Sequence, residues 1–227
     1  NLHALNIPEL TIITPAALQT EAERVAQLHR EEGLTVAVIE QEKIFNEFSS
    51  GTPDASAYRR LMKMFYDRAE GNENVRPRYL LLFGDGSYNN RKSMEKLHSP
   101  ECNMLLTYQS KTSIDERESF VIEDYFGFLE DNSGEEIKVD KVCLGIGRFP
   151  ISSIKNARLV VDKLYRYVHD KDFSSWKNNI CIAADDGDEA IHAEQADRGS
   201  DTLLLKNTSQ PRLGFRVNKI YIDSYYM

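Results

Sequence analysis

Cysteine is scarce in this 227-residue chain: Cys102, Cys143 and Cys181 stand far apart. An odd count without paired spacing argues against a disulfide framework and against a zinc site. Long apolar runs are missing too. A membrane-spanning helix needs roughly 18 or more unbroken apolar residues, and no such run occurs, so no transmembrane segment is expected. The opening residues, NLHALNIPEL, have neither a cationic start nor a long apolar stretch and do not read as a signal peptide. For an exported parent protein the chain would begin after its signal. Basic runs are short as well. With 28 Lys and Arg against 36 Asp and Glu, the formal net charge is −8, and the footprint of a nucleic-acid binder is absent. Internal repeats and low-complexity tracts are also lacking.

What is present is the composition of a soluble α/β protein, 41% hydrophobic and 28% charged. Its length allows one large domain or two small ones with a substantial core. ELTIITP predicts a buried strand over residues 10–13. Thr14 then reads as the N-cap of a helix over 16–32, with Pro15 at its first position and Gly33 as its stop. LTVAVIE predicts a second strand over 35–39. Asp54 caps a helix over 55–70, with Tyr58, Leu61, Met62 and Phe65 on one face and Gly71 at its end. RYLLLF predicts a third strand over 79–83, running into the turn Gly84-Asp85-Gly86. Unbroken apolar strands alternating with amphipathic helices indicate a parallel sheet covered on both faces.

Between residues 90 and 140 the texture changes. MLLTYQS and SFVIEDYFGFLED predict short extended pieces, and DNSGEE a hairpin tip. KVCLGIGRFPIS predicts a strand over 142–146 and a glycine turn. Ser152 or Ser153 caps the next helix, whose Ile154, Ala157, Val161, Leu164, Tyr165 and Val168 share a face. DKDFSSWKNN reads as a polar linker or surface loop, so a first domain spans 1–172 and a second 173–227. The second opens with the strand ICIAADD near Ile180, continues through the helical EAIHAEQADRGSDTLLLKN, and reaches a last strand in NKIYIDSYY.

Three glycine turns follow strands. After Gly145 and Gly147 the third glycine of a dinucleotide fingerprint is replaced by Pro150, and no Gly-Lys-Ser/Thr occurs. Tight turns at strand ends are the simpler reading. Asp185, Asp186 and Asp188 do not fit an EF-hand, because Gly187 follows only two Asp residues. A looser oxygen-ligand site leaves room for structural calcium, and no other cofactor is expected. Glu130, Asp131, Glu135 and Glu136 read as a solvated turn. His192 with Glu194 has the composition of a general-base pair, but chemistry in an open α/β sheet collects at the carboxyl ends of strands. Asp185 and Asp186 lie there, whereas His192 falls on or near the following helix. Cys181, inside its strand, reads as core.

Five stretches occur in order from Tyr79 to Tyr226: YLLLFGDGSYNNR, LLTYQS with EDYFGFLED, GIGRFPIS, WKNNICIAADDGD with a downstream His, and VNKIYIDSYY. In that order they resemble the gingipain-like (C25) cysteine peptidases, and within them the PorU-type sortases of the Bacteroidetes type IX secretion system. The resemblance implies a caspase-like, gingipain-like parallel sheet flanked by helices, in two subdomains with the second incomplete. Such peptidases carry a catalytic His in Gly-His-Gly and then a nucleophilic Cys, both beyond the strand matching NKIYID. The chain has no Gly-His-Gly, so the resemblance implies the leading part of a catalytic domain, inactive alone. Neither Cys181 nor His192 takes those roles.

What carries over is the acidic residue that ends the first strand of the second subdomain and orients the catalytic His. It matches Asp186, with Asp185 the alternative. A carboxylate accepting one imidazole N–H fixes the tautomer and favours the imidazolium. The gingipain position that binds a basic substrate side chain falls near Ala190, so a preference for Arg or Lys does not carry over. The implied parent is an endopeptidase that cleaves C-terminal sorting domains from secreted cargo. It would work beside other outer-membrane secretion components, extracytoplasmically, at the cell surface or outer membrane of a Gram-negative Bacteroidetes-type bacterium. The alternative is a non-catalytic caspase-like binding module in a surface protein.

Overall fold

A computed structural model describes residues 1–91, 103–112, 114–136, 139–172, 174–185, 187–209 and 214–222. The chain divides into two compact units, Asn1–His169 and Asp170–Met227. Cys102 and Asp186 lie outside the described residues, as does the end of the SYY stretch.

The first unit is built on four parallel strands, β1 (Leu10–Thr14), β2 (Val36–Glu40), β3 (Tyr79–Phe83) and β4 (Gly145–Phe149), in the order β2-β1-β3-β4. Central β1 is buried along its whole length because helices cover both faces. On one face Ile13, Leu80 and Leu82 pack against α2 (Gln41–Phe48) and α3 (Ser56–Arg68) through Ile44, Phe45, Tyr58, Leu61 and Phe65. On the other, Leu10, Ile12 and Phe83 meet α1 (Gln19–Glu31) and α4 (Ile154–Val168) through Val25, Ala26, Ala157 and Val161. The parallel, helix-flanked α/β architecture is the one expected.

Several local expectations change. Thr14 is not a helix cap. It is the last residue of β1, paired with Glu40, and its hydroxyl donates to the Phe83 carbonyl at 3.2 Å. Pro15 is the extended N-cap of a 3-10 turn, Ala16–Leu18, that leads into α1. Helix α2 follows β2 without any turn residue, so no sequence break marks its start. Asp54 does receive the start of α3, accepting the Ser56 amide at 2.8 Å. Ser153, rather than Ser152, caps α4 by accepting the Asn156 amide. On that helix Ile154 and Val168 are exposed, so its buried stripe is narrower than the pattern implied.

The fourth strand lies three residues beyond 142–146. Its two glycines are strand residues, not a turn. Tyr79 pairs with Gly145, and a Cβ at Gly145 would come 3.2 Å from the Tyr79 ring, a tight contact that a side chain there would relieve only by displacing the ring. Val142 and Cys143 instead meet the 3-10 turn Asp124–Gly127, with the Cys143 amide donating to the Gly127 carbonyl at 2.9 Å. The stretch before that turn is extended only as isolated bridges, Asp85 with Met104 and Gln109 with Val121.

The second unit begins in the expected polar loop, which is an ordered turn. Asp172 accepts from the Ser174 amide and from the Trp176 indole, both at 2.8 Å. Strand β5 (Asn179–Ala184) then pairs in parallel with β6 (Arg216–Tyr221), and α5 (Ile191–Ser209) connects them. Exposure alternates along β5. Ile180, Ile182 and Ala184 are the covered set and Cys181 belongs to the exposed one, so Cys181 is not core. Among the described residues no helix is long and apolar enough to cross a membrane.

Candidate functional site

Each unit presents the carboxyl ends of its strands. In the first unit that edge is filled. Arg148, at the end of β4, turns inward with its side chain only 11% exposed. Its guanidinium grips Glu123 through Nε–Oε1 at 2.7 Å and Nη2–Oε2 at 3.1 Å, and donates to the Gly84, Asp85 and Leu106 carbonyls at 3.2–3.3 Å. Such a fork uses its donors in fixed directions. A Cβ at Gly86 would lie 2.8 Å from Thr107 and 3.3 Å from the Arg148 guanidinium, which accounts for the glycine. Beneath, Gln41 donates to the Met104 carbonyl at 2.9 Å and accepts from Tyr58, whose oxygen takes the Leu106 amide. The Gly84-Asp85-Gly86 turn is therefore a structural junction, closed by its own chain.

The second unit is open at the same place. At the end of β5 a cleft of about 560 Å³ is lined by Ala183, Ala184, Asp185, His192, Gln195 and Gly199, among others. Asp185 is exposed and lies on its wall. His192 is the second residue of α5, also on the wall, and its Nε2 lies 3.7 Å from Asp188 Oδ2. The His192–Glu194 pair is thus not the arrangement present; the imidazole faces Asp188 instead. Nearby, Asp197 on α5 is tied to β6 by Lys219 Nζ at 2.7 Å and by the Tyr221 hydroxyl. The Lys219 ammonium, then the Tyr221 hydroxyl, hold the Asp197 carboxyl below its usual range. This tie fixes the helix over the sheet.

Between Asp185 and α5 the backbone is unusual. Asp188, Glu189 and Ala190 have φ of 53°, 62° and 63°, three successive left-handed residues without a glycine. An L-residue costs about 1–2 kcal/mol in this region, less for Asp. The helix therefore starts at Ile191, not at Glu189 as its composition suggests. Among the described residues no group of three or more His, Cys, Asp or Glu is placed to hold a metal ion. Asp131 pairs with Lys63 at 2.9 Å.

The sequence pattern of peptidase family C25 matches residues 3–227. The chain belongs to peptidase family C25. It is similar to the dimeric latent PorU of Porphyromonas gingivalis, at 43% identity and a TM-score of 0.68, over 78% of this chain and 17% of that one. Two further likenesses, below 20% identity, concern the fold alone. One is the Arg-specific cysteine proteinase gingipain R (RgpB), at 16% identity and a TM-score of 0.56, over 94% of this chain and 41% of that one. The other is the complex of P. gingivalis RgpB pro- and mature domains, at 19% identity and 0.57, over 94% and 42%. The C25 chain thus spans less than half the length of each of these proteins. No curated protein matches it. Sequence reasoning missed the Arg148–Glu123 junction; the signal was a charged residue in the otherwise apolar GIGRF.

Proposed function

We propose that this C25 chain contributes the carboxylate-bearing part of a cysteine endopeptidase of the PorU type. In this reading the end of β5 delivers Asp186, or Asp185 in its place, to the imidazole of a catalytic His outside the 227 residues. The observation that carries it is the open cleft where β5 ends in the Asp pair, in a chain of a peptidase family. The carboxylate would hold the imidazole in the tautomer that takes a proton from the nucleophilic thiol and returns it to the leaving amine. The substrate would be secreted cargo with a C-terminal sorting domain, processed extracytoplasmically at the cell surface or outer membrane beside other secretion components. The 43% identity to PorU favours that substrate over the Arg-directed one named for gingipain R.

The test is to compare Asp185→Asn and Asp186→Asn in the full-length parent protein, measuring turnover and melting temperature together. Asp186→Asn should lower turnover by about 10²–10⁴ with the melting temperature unchanged. Full turnover in both variants sinks the assignment. The 227-residue chain alone should not cleave peptides. Cleavage that Cys181→Ala abolishes would make Cys181 the nucleophile and overturn the reading. A full-length protein without turnover would favour the binding module.

A further inference from the structure

We propose that the left-handed turn at residues 188–190 is a two-state device that lengthens α5 when it relaxes. Two independent observations conflict there. The backbone holds Asp188, Glu189 and Ala190 at φ between 53° and 63°. The sequence at the same positions is that of a right-handed helix start: Asp is a preferred N-cap, Glu suits the first turn, and Ala is the strongest helix former.

A strained conformation persists when its surroundings over-determine it. Here they do not. Asp188 and Glu189 are exposed and Ala190 is half-exposed. The Ile191 amide reaches the Asp188 carbonyl only at 3.4 Å, and the Asp188–His192 contact is 3.7 Å between two exposed side chains. The Glu194 amide donates to the Ala190 carbonyl at 3.0 Å, a bond that a longer helix would keep. Local preference and observed structure therefore disagree without a packing reason among the described residues, the mark of a segment with a second state.

The second state follows from the sequence. Asp188 becomes the N-cap of α5, Glu189 and Ala190 its first two residues, and the helix grows by about 3 Å at 1.5 Å per residue. The Asp188 carboxylate then accepts from the first-turn amides of α5 and leaves His192. Asp185 and His192 both line the cleft and the turn lies between them in sequence, so the change of state moves the segment that joins these two wall residues. The inference concerns the backbone beside the cleft and stands whether or not the peptidase reading does.

Glu189→Pro in the 227-residue chain is the diagnostic change. Proline holds φ near −65° and drives the preceding residue to extended backbone. Both effects forbid the observed turn, and both suit an N-cap followed by the first helical residue. Nitrogen-15 relaxation dispersion at Asp188 and Ala190 should show microsecond-to-millisecond exchange in the parent sequence, quenched in Glu189→Pro. The variant should melt about 2–4 °C higher with helix content kept. Parent amides without exchange, or a variant that melts lower, overturn the proposal.

Discussion

Arg148→Met removes the guanidinium that joins four segments of the first unit: β4, the turn after β3, the 103–107 stretch and the 3-10 turn carrying Glu123. Met keeps much of the stem volume, so the loss is mainly polar. Five hydrogen bonds disappear, two of them to Glu123, and the Gly84, Asp85 and Leu106 carbonyls each lose a donor. Breaking a buried ion pair from one side costs about 3–5 kcal/mol. Glu123 is 27% exposed and recovers some hydration, which puts the expectation at the low end, about 3 kcal/mol. For a domain of this size that lowers the melting temperature by about 6–12 °C. Urea unfolding followed by far-UV circular dichroism reads the change. Arg148→Lys should fall between, because one ammonium cannot serve Glu123 and three carbonyls together. The double variant Arg148→Met/Glu123→Gln should lose less than the sum of the single changes, since the stranded carboxylate is gone. A loss below about 1 kcal/mol for Arg148→Met, or strict additivity, refutes the junction.

Two further expectations concern single groups. The Thr11 hydroxyl is buried in β1 without a hydrogen-bond partner among the described residues, so Thr11→Val should be neutral or stabilise by up to about 1 kcal/mol in urea unfolding; a loss of that size means the hydroxyl is satisfied. The Asp172 carboxyl is held down to about 2 by the Ser174 hydroxyl, then by the Trp176 indole and the Ser174 amide. A depressed carboxyl contributes stability above its unfolded value of 3.8 and loses it as pH falls through about 2. Fluorescence of Trp176, the single tryptophan, should therefore hold steady to about pH 4 and change between about 4 and 2, and Asp172→Asn should remove that step; a midpoint above 4 contradicts it.

The sheet was legible because β1, β3 and the faces of α1 and α3 obey one period each over several residues, and burial on both faces leaves no polar interruption. The errors arose where pairing overrode local chemistry. Gly145 and Gly147 have turn composition, yet both pair with β3, Gly145 against Tyr79 and Gly147 against Leu81, and so belong to β4. Thr14 and Pro15 have cap composition, yet the strand pairing of Thr14 with Glu40 comes first. Cys181 looked buried because Ile180 and Ile182 flank it, but period-two alternation sends it to the other face. At the candidate site the pattern expected Asp186, or Asp185 in its place, at the end of β5; Asp185 directly follows the strand, and Asp186 lies outside the described residues. It could not foresee the left-handed turn, since nothing in Asp-Glu-Ala announces one.

The contrast between the two strand-end edges bears on where chemistry belongs in this fold. In open parallel sheets the carboxyl edge is where ligands collect, because loops there leave backbone and side chains free to meet them. The first unit has forfeited that property: Arg148, Gln41, Tyr58 and Thr107 use their polar groups on their own chain's backbone. Substituting any of them should alter stability before anything else. The second unit keeps its edge open, places Asp185 and His192 on the wall of the cleft, and joins them through a backbone held against its own preference. Fixed, self-satisfied polar groups suit a scaffold, whereas exposed carboxylates beside a strained turn suit a site that another group completes. In the proposed reading, the end of β5, with Asp185 on the cleft wall, is where an imidazole partner would meet this chain.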